Sequence, residues 1–423
     1  MRTGSSTGCS SYCLGIDPAR GRKRAVATLI GEVVARGVAA VTVLLRVPEE
    51  REDRNIYYLV LQTAIVGILN GGTGTFISVY LARIGASGFV VSLLTSAPAL
   101  VTIMMSLPSG EIVARQRNLV RYTTATFALV RSIHIFAAVA AFASADVAAT
   151  LIVVVWALSA IPSTLANTGW YGVMAESMSP RRRPLVNGLR WSLLGLFSGV
   201  STAIFGLVLD RLPFPLGYQV VFLVSFIAGM LATYYYSKIR IPDQPPAPPK
   251  ERKGLREQMH ELAHPLLESP AFREYVVACT VLRVGLFLPI GLYSIYWVNE
   301  LHATDTLIGL RTTVGNGALT IGYFLWGRMA VRLGPRRGLA LAAGGLSLYP
   351  LLTGLAPSAE WLLPAALFWG AFASGIDMSL FEGILEVSPA DRRSQYVAVN
   401  TFIANTIALA APMVGAALAA ATR

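Results

Sequence analysis

Two long apolar runs constrain this chain more than any other feature of its sequence. They are VVSLLTSAPALVTIMMSLPSG at 90–110 and ATLIVVVWALSAIPSTLANTG at 149–169, and neither contains a charged residue. An α-helix of about 20 residues crosses the ~30 Å hydrocarbon core of a bilayer and satisfies its own backbone hydrogen bonds there. Neither run shows the polar–apolar alternation of a membrane barrel strand. The sequence therefore predicts an all-α polytopic membrane protein.

The charge content agrees with this class of protein. Across 423 residues, 14% are charged and 54% are hydrophobic, whereas soluble domains carry about 25% charged residues. The net charge of +12 would suit a nucleic-acid partner. The cations, however, lie in short loops between apolar runs, which is where membrane proteins retain Lys and Arg on the cytoplasmic side. We therefore expect membrane lipids, and no nucleic acid, as partners.

Hydropathy predicts eleven membrane-spanning helices. They cover residues 56–82, 88–109, 119–142, 147–170, 186–209, 216–238, 272–298, 306–327, 338–356, 360–386 and 395–421. The loops on one side hold 18 arginines and lysines, whereas the opposite loops hold only Arg83 and Arg211. Because positively charged loops stay in the cytoplasm, we expect the arginine-rich end and the N-terminus inside, in the cytoplasmic membrane.

The segment 25–45 is ambiguous. It is long enough to span the bilayer, but Glu32 and Arg36 lie in its middle. Each charge at the centre of a spanning helix costs about 2.5–3.5 kcal/mol. We expect residues 1–50 to form an N-terminal extension in which this segment is an interfacial helix or poorly ordered. The alternative is that it spans the membrane.

The second half of the sequence repeats the first. Shifts of 217 and 210 residues superpose Gly110 on Gly327, Arg115 on Arg332, and Glu176 on Glu386. A proline-rich stretch lies between the halves. The predicted organisation is one transmembrane bundle at 51–238, a cytoplasmic linker at 239–270 and a second bundle at 271–423, which is the architecture of a rocking transporter.

The two predicted bundles differ in helix number. The sixth span has no counterpart before Arg423, so we expect an incomplete second bundle and 6 + 5 helices. A truncated gene, a last helix supplied by another chain, and segment 25–45 as a twelfth span remain open.

The stretch GRMAVRLGPRR at 327–337 carries a recognisable pattern. It resembles the loop signature of the major facilitator superfamily: glycine, three residues, Asp-Arg, one residue, glycine and two basic residues. The matching positions are Gly327, Arg332, Gly334, Arg336 and Arg337.

The stretch at 110–120 is a weaker copy. It keeps Gly110 and Arg115 but has Arg117 in place of the second glycine. Ala114 and Val331 stand where the signature has aspartate.

The resemblance implies two pseudo-symmetric bundles and a monomeric secondary active transporter for a small organic solute, working by alternating access without a cofactor. A non-transporting receptor or scaffold and a membrane-embedded enzyme are the alternatives. An enzyme would need a catalytic cluster, and His260 and His264 lack a general base in a metalloprotease arrangement. Cys9 and Cys13 have no further metal ligands nearby, so we expect no metal site.

By resemblance, the arginine loops act as cytoplasmic latches that hold the outward-facing state. A guanidinium can bind a carboxylate through two hydrogen bonds, so Arg115 is expected to pair with Glu176, and Arg332 with Glu386. The loops that follow these glutamates are also basic, and in the first half they contain Arg182 and Arg183. The alternative is that the arginines only enforce topology.

The resemblance also places the first and fourth spans of each half around a central cavity. The candidate pathway residues are Asn70, Thr73, Asn167, Arg283, Asp377 and Glu382. An ionisable group at membrane depth is a functional candidate. Arg283 and Asp377 are expected to form an ion pair, and Asp377 or Glu382 to carry a proton. A static salt bridge is the alternative.

Other features of the spans have structural interpretations. The glycine-rich GILNGGTGTF at 67–76 favours close packing or a local kink. Arg131 and His134 share one face of the third span, where an interhelical contact is expected. Arg190 and Arg311 lie near span ends, where long side chains can snorkel to the interface.

Overall fold

The computed structural model describes residues 47–140, 142–243, 245, 264–389 and 392–422. The predicted segment 25–45 and residues 246–263 of the predicted linker lie outside this part of the chain. The described residues from Arg51 onward form helices that coincide with the eleven predicted spans. The all-α prediction is therefore confirmed.

The helices of the first half are α1 (Arg51–Arg83), α2 (Gly88–Ala114), α3 (Leu119–Ala140), α4 (Ala145–Ser177), α5 (Arg183–Arg211) and α6 (Leu216–Tyr236). Those of the second half are α7 (Pro270–Glu300), α8 and α9 (together Asp305–Leu346, with α9 continuing through Leu348–Gly354), α10 (Leu362–Val387, after a 3-10 turn at Ala359–Trp361) and α11 (Arg393–Ala421). Within the described residues, nine of them, all except α8 and α9, are long and apolar enough to cross a membrane.

Helices α8 and α9 are separated by a kink rather than by a loop. Gly334 has φ 68° and ψ 166°, outside the helical region, and Pro335 follows it. Positive φ suits glycine, and proline cannot continue the hydrogen-bond ladder of a preceding helix. Gly334 and Pro335 therefore mark where one predicted span ends and the next begins.

The first helix of each half is interrupted at an equivalent place. In α1, Asn70–Gly74 form a π-helical segment, as the glycine-rich sequence predicts. In α7, the α-helix ends at Phe287 and resumes at Ile290, after Pro289. The repeat of 217 residues maps 70–74 onto 287–291, so the internal repeat predicted from sequence extends to backbone irregularity.

The two halves meet closely along α5 and α8. A Cβ atom on Gly309 would lie 2.6 Å from the Thr202 carbonyl oxygen, and one on Gly206 would lie 2.7 Å from the Asp305 carbonyl oxygen. Glycine at such positions lets two helix backbones approach each other. These contacts therefore depend on the absence of side chains at both positions.

Hydrogen bonds reinforce this contact and join the halves elsewhere. Thr313 Oγ1 donates to the Gly199 carbonyl at 2.7 Å. Ser294 on α7 donates to Ser78 on α1 at 2.9 Å. Helices α2 and α11 form a further contact between the halves.

Among the described residues, the apolar cluster shared by the two halves lies at one end. At the arginine-poor end, one apolar cluster joins Tyr80 and Phe222 of the first half to Trp297, Ile308 and Leu362 of the second. The other clusters each stay within one half: one lies around residues 56–60, 119–127 and 170–178, and two lie within the second half. The described halves are thus packed together at the arginine-poor end and separate at the arginine-rich end.

The close approach at Gly309 can be tested with an alanine. We expect Gly309→Ala to lower the thermal midpoint in detergent, because overpacking against the Thr202 carbonyl costs about 1–3 kcal/mol. Gly317→Ala on the same helix is the matched control, because a Cβ there meets nothing within 4 Å. That control should gain up to about 1 kcal/mol from helix propensity. Equal midpoints for the two variants would contradict the close contact.

Candidate functional site

A cavity of about 660 Å³ lies between α1, α5, α8 and α10. Its polar lining consists of Asn70, Trp191, Ser192, Ser198, Asn316, Thr320 and Tyr323. Leucines and Met378 supply most of the remainder. The described side chains that line this cavity are uncharged, so its walls offer hydrogen bonds and apolar surface together.

The cavity reaches from the middle of the molecule toward the arginine-rich end. Gly188 is the sixth residue of α5, which begins at Arg183 beside the arginine-rich loop, and it lines the cavity. Asn316 and Tyr323 lie in the middle of α8. Because the described apolar cluster shared by the halves lies at the opposite end, the cavity lies where the halves separate.

The predicted pathway residues of the first half are in three different places. Asn70 begins the π-helical segment and lines the central cavity. Thr73 is fully buried, and its backbone N–H donates to Ser225 Oγ on α6 at 3.1 Å. Asn167 lines a separate cavity of about 430 Å³ between α2, α3 and α4, together with His134.

The predicted ion pair in the second half is not formed. Arg283 Nη1 donates to Asn400 Oδ1 on α11 at 2.9 Å. Tyr323, a cavity-lining residue of α8, donates its hydroxyl to Asp377 Oδ2 at 2.7 Å. The prediction was wrong because the two side chains extend from their helices toward different neighbours. Asp377 is thus hydrogen-bonded to a residue of the cavity wall. Both Asp377 and Glu382, which lies further along α10, are exposed.

Arg190, whose position near a span end would allow it to snorkel, is instead buried in the first half with 7% of its surface exposed. Its Nε donates to Thr63 Oγ1 at 2.9 Å, and its Nη1 donates to Asn187 Oδ1 at 3.0 Å. The guanidinium lies 4.8 Å from the centre of the Trp170 ring. Asn187 and Arg190 are three residues apart on α5, and this spacing within an apolar span was the signal that sequence reasoning missed.

Arg131 is buried nearby, as part of the same network. Its Nη1 donates to Thr233 Oγ1 at 2.6 Å, and its Nη2 donates to Gln62 Oε1 at 3.5 Å. Gln62 in turn donates to Thr63 Oγ1 at 2.8 Å. The interhelical contact expected for Arg131 is therefore confirmed, with α6 and α1 as its neighbours.

Arg311 does not snorkel either. Its Nη2 donates to the Tyr349 hydroxyl at 2.6 Å, and its guanidinium lies 4.3 Å from the centre of the Trp297 ring. Aromatic faces stabilise a desolvated cation. The positions of Arg190 and Arg311 near span ends therefore did not predict the direction of their side chains.

At the arginine-poor end, polar side chains of the first half bind the start of α8. Arg83 donates to the Ala303 carbonyl at 2.6 Å and to Asp305 Oδ1 at 3.3 Å. The Tyr218 hydroxyl donates to the same Asp305 oxygen at 2.8 Å. The Asp210 carboxylate accepts hydrogen bonds from the backbone N–H groups of Asp305 and Thr306, at 3.0 and 2.9 Å.

We call Arg83, Asp210, Tyr218 and Asp305 the clasp. A carboxylate at a helix N-terminus satisfies free backbone donors and is favoured by the helix dipole. Asp210 therefore caps α8 from the other half of the molecule. Sequence reasoning used Arg83 only as one of two basic residues on this side, and no spacing pattern connects it to Asp305.

At the arginine-rich end, the ion pairs of the described residues stay within one half. Arg182 bonds Asp53 at 2.6 Å. Both nitrogens of the Arg392 fork donate to Glu268 at 2.8 Å, and these hydrogen bonds lower the pKa of the Glu268 carboxyl. These pairs fix loops to their own bundle.

The predicted latches are not formed in this conformation. Arg115 contacts Glu111 on its own helix at 3.7 Å rather than Glu176. Arg332 and Glu386 are exposed and make no ion pair with each other among the described contacts. Instead, Glu386 lines a crevice of about 230 Å³ with Arg336, which lies 3.9 Å from Glu274.

The remaining loop-signature residues have simpler surroundings. A Cβ on Gly110 would meet nothing within 4 Å, and one on Gly327 would meet only Met378 at 4.0 Å. Neither glycine therefore lies at a close approach between helices in this conformation. Arg183 donates to the Ala175 carbonyl at 2.6 Å, and Arg337 is exposed.

Comparison with known proteins identifies the family that shares this architecture. A family model described as the Major Facilitator Superfamily matches residues 59–283 and 275–422. No curated protein sequence matches the chain. The fold is similar to that of a bacterial homologue of the human lysosomal transporter Spinster, in an inward-facing and occupied conformation. The TM-score is 0.66 at 15% identity, covering 88% of this chain and 83% of that chain.

Two further solved structures share the fold. A bacterial homologue of the iron transporter ferroportin, in an inward-facing state, has a TM-score of 0.62 at 14% identity, covering 86% of this chain and 91% of that chain. A POT family transporter in complex with a thioalcohol-conjugated peptide has a TM-score of 0.63 at 11% identity, covering 87% and 90%.

Two pseudo-symmetric helical bundles around a shared cavity define a multi-pass secondary transporter that works by alternating access. The chain belongs to the Major Facilitator Superfamily.

The clasp can be tested by distance measurements between spin labels. We expect Arg83→Gln to lengthen the distance between labels at Leu216 and Leu355, which are exposed on the two halves at the arginine-poor end. Hydrogen bonds to charged groups contribute about 1.5–3 kcal/mol, so the ratio of separated to closed molecules should rise by roughly tenfold or more. Arg211→Gln, at an exposed arginine of the same end, is the control. An unchanged distance distribution in Arg83→Gln would show that the clasp does not hold this end closed.

Proposed function

We propose that this transporter moves a small organic solute across the cytoplasmic membrane, and that the structure represents its inward-facing state. The observation that carries the proposal is the distribution of contacts: the clasp and the shared core join the halves at the arginine-poor end, while ion pairs at the arginine-rich end stay within each half. The positive-inside rule assigns the arginine-rich end to the cytoplasm. The N-terminus is then inside.

The two similar structures that are described as inward-facing support this assignment of state. In the outward-facing state, the hydrogen bonds of the clasp would break, and the arginine-rich ends of the two halves would come together. The proposed latches Arg115–Glu176 and Arg332–Glu386 belong to that state. The described lining of the cavity comes from helices of both halves of one chain, and we propose that the protein works as a monomer in contact with membrane lipids.

We further propose that Asp377 couples transport to protons. It is an acidic side chain on a membrane-spanning helix, it hydrogen-bonds a cavity-lining tyrosine, and none of its described contacts is an ion pair. A carboxylate at membrane depth without a cation is a candidate for reversible protonation. Asn70 and Asp377 then belong to the pathway. Thr73, Asn167 and Arg283 lie in other parts of the molecule, and Glu382 is exposed.

Uptake into proteoliposomes tests transport and coupling together. Labelled organic acids, amines and neutral solutes would be screened with and without a pH gradient. For any solute taken up, Asp377→Asn should lower gradient-driven uptake by roughly tenfold or more, because the proton-carrying group is lost, while solute exchange without a gradient persists. Glu382→Gln on the same helix is the control and should retain most of the uptake. Full gradient-driven uptake by Asp377→Asn would exclude this residue as the carrier.

The Arg332–Glu386 latch has a separate test by charge reversal. Glu386→Arg should strongly reduce uptake, because two like charges would then face each other in the outward-facing state. Adding Arg332→Glu to the same protein should restore part of the activity. Arg337→Glu in place of Arg332→Glu is the control for a general change of loop charge. Absence of rescue by Arg332→Glu would count against the pair.

A further inference from the structure

A buried arginine without a described acidic partner lies on the helix that forms one wall of the central cavity. Gly188, Trp191 and Ser192 line the cavity, and Arg190 lies on the same turn of α5. Its described hydrogen-bond partners are neutral: Thr63, Asn187 and Met174. Nη2 makes no hydrogen bond among the described contacts. Burial of a cation without an acidic partner is costly, so this arrangement calls for an explanation.

The rest of the first half does not supply the missing negative charge. The described carboxylates between residues 51 and 238 all lie near helix ends: Glu52, Asp53, Glu111, Asp146, Glu176 and Asp210. Arg131, the other buried cation, likewise bonds only neutral groups, Gly229, Thr233 and Gln62. The interior of this bundle therefore carries two positive charges that the described residues do not neutralise.

We propose that the substrate is an organic anion, bound in the central cavity with its carboxylate drawn toward Arg190. The proposal rests on the assignment of this cavity as the substrate site. A planar guanidinium matches a carboxylate geometrically, and it would gain the counter-charge that the protein lacks. The indole of Trp191, together with Leu194 and Leu319, offers apolar surface for the body of the molecule. Asn70 and Asn316 add amide donors for further oxygens.

The wall of the cavity formed by α8 and α10 also favours a substrate whose carboxylate faces α5. Tyr323 already donates its hydroxyl hydrogen to Asp377, so the tyrosine cannot donate that hydrogen to a substrate carboxylate at the same time. Asp377 is also negative when ionised and repels an anion on its side of the cavity. The carboxylate would therefore lie on the α5 side, and the apolar or neutral part of the substrate would face α8 and α10.

The electrostatic potential of the cavity can be measured without knowing the substrate. Ser192→Cys would be introduced after Cys9, Cys13 and Cys279 are replaced by alanine. Its reaction rates with a sulfonate-bearing and a trimethylammonium-bearing methanethiosulfonate would be compared, each normalised to its rate with a free thiol. The normalised ratio should favour the sulfonate, because a positive potential concentrates anions.

Variants of the two buried arginines then identify the source of that potential. Arg190→Gln should reduce the sulfonate preference by roughly fivefold, the size expected for one charge within about 10 Å in a partly hydrated cavity. Arg190→Lys keeps the charge and should keep the preference. Arg131→Gln is the matched control and should change the ratio less, because Arg131 contacts α6 and α1 behind the cavity wall. Size-exclusion profiles would confirm that each variant is folded.

Protection of the same cysteine tests the ligand class. The neutral methyl methanethiosulfonate would be applied with 4-phenylbutyrate, 4-phenylbutyramide or 4-phenylbutylamine, which differ in charge but little in size. We expect the carboxylate to protect best, and its advantage to disappear in Arg190→Gln. Better protection by the amine, equal protection by all three, no protection by any, or a sulfonate preference unaffected by Arg190→Gln would each overturn the proposal. These readouts need no transport, so they are independent of the uptake result that tests the proposed function.

Discussion

The attachment of α8 to the first half is the contact on which the observed conformation depends. Asp210 caps the first turn of α8, and Arg83 and Tyr218 converge on the Asp305 carboxylate beside it. The polar clasp lies beside the apolar cluster that contains Ile308 and Trp297. Because ordered hydrogen bonds and buried apolar surface coincide at this end, the halves have one firm junction, and the remaining length of the bundles can separate around the cavity.

The sequence predicted the helices well because their positions are set by local composition. Apolar run length located the helices at all eleven predicted positions, and the glycine-rich 67–76 stretch indicated the irregular segment in α1. The separation of α8 from α9 was predicted as a loop signature, and it is a kink at Gly334. Each of these features depends on neighbours within a few residues, which a sequence contains directly.

The site was predicted less well because side-chain direction depends on distant neighbours. Arg283 and Asp377 were expected to meet, but they bond Asn400 and Tyr323. Arg190 was placed near a span end, yet its hydrogen bond to Thr63 turns it into the bundle. The clasp joins residues more than 200 positions apart. Such pairings follow from how helices are arranged around one another, and no spacing in the sequence encodes them.

Each half holds a charge that lacks a counter-ion among the described contacts, and the two charges have opposite sign. One transport cycle can neutralise both. The first half buries Arg190 without an anion, while the second half holds Asp377 beside the cavity without a cation. An organic anion near Arg190 and a proton on Asp377 would neutralise the two sites together. Because a net charge crossing a low-dielectric barrier is costly, such a neutral combination lowers the barrier to the rocking motion. If the anion binds while Asp377 is ionised, the two negative charges repel each other across the cavity. This repulsion would weaken anion binding, so binding of the anion would be coupled to protonation of Asp377.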